Sequence, residues 1–180
     1  MATSSRKQIE GWLRTLDIKG SVIDVGGVFW PVKGRTKSWN VDTYHIFDTC
    51  DERNGVSATF VGDINEPISL SGQYDNTFFI EVTDHLFNPF QAFKNLANLT
   101  KRGGKVFLSS NFIYPHHTGI DMMRFTLRGL KTQLTFAGFG IVSISPRFAA
   151  SEALPSALDM ESPIQYRRGE VGYMIVAEKL

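Results

Sequence analysis

"SVIDVGGVFWPVKG", residues 21–34, begins with the apolar run Val22-Ile23-Asp24-Val25 and breaks at Gly26-Gly27. An apolar run ending in glycine is the pattern of a strand buried on both faces, as in a parallel sheet. Glycine at its carboxyl end lets the backbone approach a ligand closely. The second half of the stretch is unusual. Phe29, Trp30 and Pro31 stand where a nucleotide loop carries more glycine.

Upstream, Ile9, Trp12, Leu13 and Leu16 fall at helical spacing over residues 4–16, with Ser4 or Ser5 available as N-cap. Downstream, strands are expected at 43–49, 58–63, 74–82, 105–112, 141–148 and 172–180. The stripe Phe90, Phe93, Leu96, Ala97 and Leu99 predicts a helix over 89–104, stopped by Gly103-Gly104. A second helix covers 127–140, stopped by Gly138. Asn54-Gly55, between the second and third strands, is a turn signal that alone reads as an antiparallel hairpin. Strands alternate with helices cleanly in the second half and with little helix near the start. The balance is a single α/β domain over 1–180 built on an open sheet, with an N-terminal helix inside 1–19 and an irregular loop at 149–170.

Composition narrows the function. The 180 residues are 42% hydrophobic and 21% charged, with 19 basic against 18 acidic side chains. A net charge of +1 gives no electrostatic reason to expect nucleic acid as a partner. One cysteine, Cys50, excludes an internal disulfide, so a reducing, cytoplasmic compartment is the simpler expectation. Residues 1–16 lack the apolar core of a signal peptide, and no apolar run approaches the ~20 residues that span a bilayer. No membrane partner is expected.

In open α/β sheets ligands lie beyond the carboxyl ends of the strands. Here those ends carry Gly26-Gly27, Asp48, Asp63, Glu81 to His85, and Asn111 to His117. Asp48 ends the second strand at the offset from Asp24 where an acid accepts hydrogen bonds from ribose hydroxyls. Asp63 ends the third and can accept from an exocyclic amine. The spacing describes an adenosine site and leaves the cofactor open.

On these residues the chain resembles the class I S-adenosylmethionine-dependent methyltransferases of the small, single-domain kind. "VIDVGG", "YHIFDT" and "FVGDI" are similar to their first three strands, and "YDNTFFIEVTDHLFNPFQAFKNLANLTKRGGKVFLSSNF" to the fourth strand, a helix and the fifth. "YPHHTGIDMMRFTLRGLKTQLTFAGF" is similar to a stretch of methyltransferases that modify cell-surface glycans and small molecules. The resemblance spans about residues 20–180. It implies a Rossmann-like, mostly parallel seven-stranded sheet with a C-terminal antiparallel strand, flanked by helices, and S-adenosyl-L-methionine as cofactor. Asp24, Gly26 and Gly27 would line its methionine part, Asp48 would hold the ribose, and Asp63 with Ile64 would border the adenine. Glu81 would lie under the transferable methyl. The family's short connection between its second and third strands would override the hairpin signal at Asn54-Gly55. The departure is the glycine loop, where Val28 and Trp30 replace later glycines and Trp30-Pro31 can form a rigid wall.

A hydroxyl acceptor gains from a general base, and histidine is tuned for that near neutral pH. His85, His116 and His117 stand at ligand-side strand ends, whereas His45 lies within a strand and has no assigned role. His85 can equally cap the next element. Trp30, Tyr114 and Arg124 are candidates for the acceptor pocket, although Asp121 and Arg124 also read as a solvated helix pair. No metal-ligand spacing is present. The expected activity is methyl transfer to a small-molecule or glycan hydroxyl. The alternatives are a non-catalytic interaction module that has lost the cofactor and, last, a nucleotide-dependent oxidoreductase or epimerase. The 149–170 loop is the natural candidate for a homodimer contact or a lid.

Overall fold

In a computed structural model, which describes residues 4–70, 73–113, 119, 121–148 and 170–180, β1 (Asp17–Val25) runs near the centre of a seven-stranded sheet. β2 (Ser38–Asp48) and β6 (Tyr74–Ile80) flank it, both parallel. β5 (Phe60–Val61) and β7 (Thr100–Asn111) extend the parallel pairing outward. β9 (Glu170–Lys179) lies antiparallel between β7 and β8 (Phe139–Phe148). The order is β5-β2-β1-β6-β7-β9-β8. The expected architecture, a mostly parallel sheet with an antiparallel C-terminal strand, is the one observed.

Strand alternation sorts the core onto two faces. Ile23, Val25, Phe79, Val106, Leu108 and Ile175 face α2 (Pro89–Leu99) and α3 (Leu127–Phe136), where they meet Phe93, Leu96 and Leu130. Val22, Phe78, Phe107, Met174 and Val176 face α1 (Ser4–Leu13) and its Ile9 and Leu13. Asp24 shares the face of Val22, and this decides its role below. Asn88 caps α2 ahead of Pro89, and the Thr126 hydroxyl caps α3 by accepting from Gly129 N. No helix among the described residues is long and apolar enough to cross a membrane.

Residues 26–37 cross from β1 to β2 as a loop, without a helix. Residues 49–59 cross toward β5 through a small hairpin of β3 (Glu52–Arg53) and β4 (Val56–Ser57). Asn54 and Gly55 at its tip both have positive φ, 52° and 78°, as a tight two-residue hairpin turn requires. The turn signal was therefore real but local, and β2 and β5 still pair in parallel.

Some boundaries differ from the sequence reading. β1 begins at Asp17 and β2 at Ser38, because their first residues alternate buried or half-buried with exposed positions rather than forming an apolar run. α2 ends at Leu99, and Gly103-Gly104 lie inside β7 instead of stopping the helix. A side chain on Gly104 would sit 2.9 Å from the carbonyl oxygens of Lys101 and Tyr74, so glycine there permits the register shift between β6 and β7.

A second irregularity, at Gly20/Ser21 of β1, is held by Asp75. Its carboxylate accepts from Ser21 N at 2.8 Å and Ser21 Oγ at 2.7 Å and pairs with Lys101 at 3.0 Å. Those bonds, the backbone one first, hold the Asp75 carboxyl down at about 2 against an ordinary 3.8. A depressed acid stabilises above its ordinary pKa and loses that contribution as pH falls through the folded value. Asp75→Ala is expected to lower the urea midpoint at pH 6, with the difference from the parent closing toward pH 2. A constant difference across that range would refute the assignment.

Candidate functional site

The carboxyl ends of β1, β2, β5, β6 and β7 open onto one cleft of about 690 Å³, inside the range of roughly 300–1,000 Å³ typical of small-ligand sites. Gly26 turns the chain out of β1 with φ of 80°, and its N–H donates to Phe47 O at 2.8 Å. A Cβ on Gly26 would meet Val82 Cγ2 at 2.6 Å, so the turn leans directly on the segment after β6.

Asp24 lies behind this turn. It is 2% exposed, and its Oδ2 accepts from Val32 N and from the Tyr44 hydroxyl, both at 2.8 Å. Gly27 packs on the same carboxylate, where a Cβ would come within 2.5 Å of Asp24 Cγ. Burial pushes the Asp24 carboxyl up to about 6, against the pull of those hydrogen bonds. The Tyr44 hydroxyl is pushed up as well, first by burial and then by the Asp24 charge. The anchor holds the loop that replaces the missing glycines. Arg35 fastens the same loop to α1, with its guanidinium on both oxygens of Glu10 (2.6 and 3.1 Å) and on Trp30 O (2.9 Å).

The loop presents half-exposed Phe29 and Trp30 to the cleft mouth. Each ring carries a cation on one face: Arg6 lies 3.9 Å from the Trp30 centroid and Arg53 4.1 Å from that of Phe29. Because Arg53 belongs to the β3–β4 hairpin, its contact with Phe29 bridges the mouth. Asp48 borders the cleft at the end of β2. It accepts from Val28 N at 3.0 Å and Cys50 N at 3.1 Å. Asp63 and Ile64 border it too. Asp63 Oδ1 accepts from both nitrogens of Asn65, while Asn65 Oδ1 accepts from Phe87 N and Asn88 N. Asn95 of α2 locks the segment from beneath through Ile64 O and Glu66 O.

Glu81, after β6, is one of two non-glycine residues with positive φ among those described, at 58°. Its side chain turns toward β7 and β8 and meets Ser109, Asn111 and Arg147. The 3-10 turn Thr83–His85 follows, placing Asp84 and His85 on the cleft wall. Burial raises the Asp84 carboxyl, opposed by the neighbouring His85 and Arg124 charges. Asp84 O accepts from Met122 N at 2.7 Å, which docks the segment before α3 against the wall. Arg124 pairs with Asp121. Tyr114, His116 and His117 lie outside the described residues, as do residues 149–169, where the sequence predicts an irregular loop. Among the described residues no group of three His, Cys, Asp or Glu side chains is gathered to hold a metal.

Tyr44, Asn65, Asn95 and Arg147 were missed from the sequence. Only Asn65 had a local signal, as an Asn two residues after a strand-end Asp that accepts from it in an Asx-type turn. The others act across long sequence separations.

No family model matches the sequence, and no curated protein matches it. Solved structures do match in shape. One is an S-adenosylmethionine-dependent methyltransferase from Mesorhizobium loti, 10% identical, covering 97% of this chain and 98% of that one with a TM-score of 0.68. Another, from Archaeoglobus fulgidus, is 17% identical over 97% and 94% of the two chains, with a TM-score of 0.65. The chain has the class I S-adenosylmethionine-dependent methyltransferase fold. The [4+2]-cyclase SpnF shares the shape too, at 14% identity over 96% and 80% of the chains and a TM-score of 0.63. The methyltransferase fold therefore names the scaffold, and the chemistry has to be argued from the cleft.

The cleft fits the cofactor of that fold in three respects. A glycine turn without room for a Cβ follows β1, a carboxylate borders the cleft after β2, and an acid with an apolar neighbour borders it after β5.

Proposed function

We propose that the protein transfers a methyl group from S-adenosyl-L-methionine to a hydroxyl oxygen of a small molecule or glycan unit. The observation that carries this is Asp48, a carboxylate on the cleft at the end of β2 beside left-handed Gly26. A carboxylate so placed accepts from vicinal ribose hydroxyls. It has about four acceptor sites and spends two of them on Val28 and Cys50. Asp63 and Ile64 border the adenine, and Gly26 supports the methionine part. Asp24 and Gly27 serve the same end by holding the turn from behind. When bound, the cofactor supplies a methyl on a positively charged sulfur that leaves as a neutral thioether.

The protein's own tasks are to hold the acceptor in line, exclude water and take a proton. His85 on the cleft wall receives the acceptor's proton on a ring nitrogen, with Asp84 beside it. Trp30 walls the mouth. Tyr114, His116, His117 and Arg124 are proposed on the acceptor side. Exposed, free Cys50 agrees with a reducing, cytoplasmic setting, and a homodimer through 149–170 is kept as part of the proposal.

One observation favours a second reading, a non-catalytic module on the same fold: both Asp48 oxygens already serve backbone N–H groups. Calorimetric titration with S-adenosylmethionine and S-adenosylhomocysteine separates the two. Micromolar binding that weakens at least about tenfold in Asp48→Ala, a loss of some 1.4 kcal/mol, supports the enzyme. Absence of heat from folded protein with either ligand sinks it and leaves the module.

A further inference from the structure

Arg147 is a cation inside the sheet, 1% exposed. It starts on β8 opposite Gly172 of β9, and Gly172 in turn stands opposite Asn111 of β7. Because Gly172 has no side chain, the guanidinium crosses β9. A Cβ there would lie 3.4 Å from Arg147 Nη1. Arg147 ends on the Glu81 carboxylate, Nη1 to Oε1 at 2.6 Å and Nη2 to Oε2 at 3.3 Å. Ser109 Oγ donates to the same Oε1 at 2.8 Å and Asn111 Nδ2 to Oε2 at 3.0 Å. The position of Arg147 is fixed from outside by Gln8 of α1, whose amide both donates to and accepts from the backbone of Phe148.

These bonds use the carboxylate's acceptor sites, about four in all. Glu81 is thus not a free base or ligand. Its charge still borders the cleft, next to the Val82 side chain that supports Gly26. A bare carboxylate there would stabilise a sulfonium in the ground state. Since positive charge leaves the sulfur during methyl transfer, that stabilisation would raise the barrier. A buried guanidinium cancels it.

We propose that Arg147 is a positioning residue that neutralises Glu81, so that the cleft ranks the cationic methyl donor and its neutral thioether product nearly equally. This rests on the methyltransferase reading. The probes are S-adenosylmethionine and S-adenosylhomocysteine, titrated by calorimetry into the full chain, and the readout is the ratio of their Kd values. In the parent chain the two are expected within about threefold. Arg147→Met leaves an uncancelled carboxylate and shifts the ratio about tenfold toward S-adenosylmethionine. Glu81→Gln leaves an uncancelled guanidinium and shifts it about tenfold the other way. Arg147→Lys keeps the cation and holds the ratio near that of the parent.

Opposite shifts cannot come from loosened packing, which weakens both ligands alike. Equal weakening with an unmoved ratio, or shifts of the same sign, overturns the proposal and leaves methyl transfer standing. Should Arg147→Met fail to fold, the sign of the shift in Glu81→Gln decides. If the folded parent chain binds neither ligand, the methyltransferase reading falls and the proposal falls with it.

Discussion

At pH 8 the Asp24→Asn protein is expected to unfold several degrees above the parent chain, and the gain should vanish as the buffer is taken toward pH 4. Asp24 is 2% exposed, and burial lifts its carboxyl to about 6 from an ordinary 3.8. Between those values the folded chain binds more protons than the unfolded one, so stability falls as pH rises through the window. Above about pH 6 the full cost applies, about 3 kcal/mol. Asparagine keeps an oxygen for Val32 N and the Tyr44 hydroxyl and carries no charge to desolvate. For a chain this size each kcal/mol moves Tm by roughly 2–4 °C. Thermal unfolding of both proteins from pH 4 to 8 checks this. A variant less stable than the parent at every pH would mean that the two hydrogen bonds outweigh the burial of the charge.

The second large effect is expected at Gly172. An alanine Cβ would stand 2.4 Å from Ser110 O, and that oxygen is backbone in the β7–β9 ladder. Nothing flexible can give way, so the two strands have to part where Arg147 crosses. We expect Gly172→Ala to lose about 3 kcal/mol, at the upper end for overpacking. Gly103→Ala is the control: φ there is 73°, but a Cβ meets nothing within 4 Å, which limits the loss to about 1–2 kcal/mol of backbone strain. Urea unfolding of the pair tests the difference. Equal losses would show that space at Gly172 is not the constraint.

Much of the fold was legible from local pattern. Apolar runs closed by glycine or acid marked β1, β2 and β6, the apolar run after Gly103-Gly104 marked β7, and helical stripes marked α2 and α3, because burial on one or both faces leaves its period in the chain. Gly103-Gly104 misled because a glycine pair after a helical stripe reads alike as a stop and as a β-irregularity. Only the carbonyls of Lys101 and Tyr74 around Gly104 separate the two. In the cleft, the placement of Asp48, Asp63 and His85 followed from strand ends. Asp24 was expected along the methionine part; it shares a face with Val22 instead, and its carboxylate is taken up by Val32 N and the Tyr44 hydroxyl. What pattern alone could not supply was partnership: Arg147 meets Glu81 across 66 positions and Asn95 reaches Ile64 across 31.

The insertion of β9 between β7 and β8 has a consequence for birth order. A chain leaving the ribosome exposes β7 and then β8 well before the strand that joins them exists. α1 precedes every strand, yet it is clasped to Phe148 of β8 through Gln8 and holds the cleft loop through Glu10 and Arg35. The helix thus waits for β8. Until β9 threads into place, β8 offers two bare edges to any neighbouring nascent chain, and the cleft loop hangs from a helix that β8 has yet to clasp.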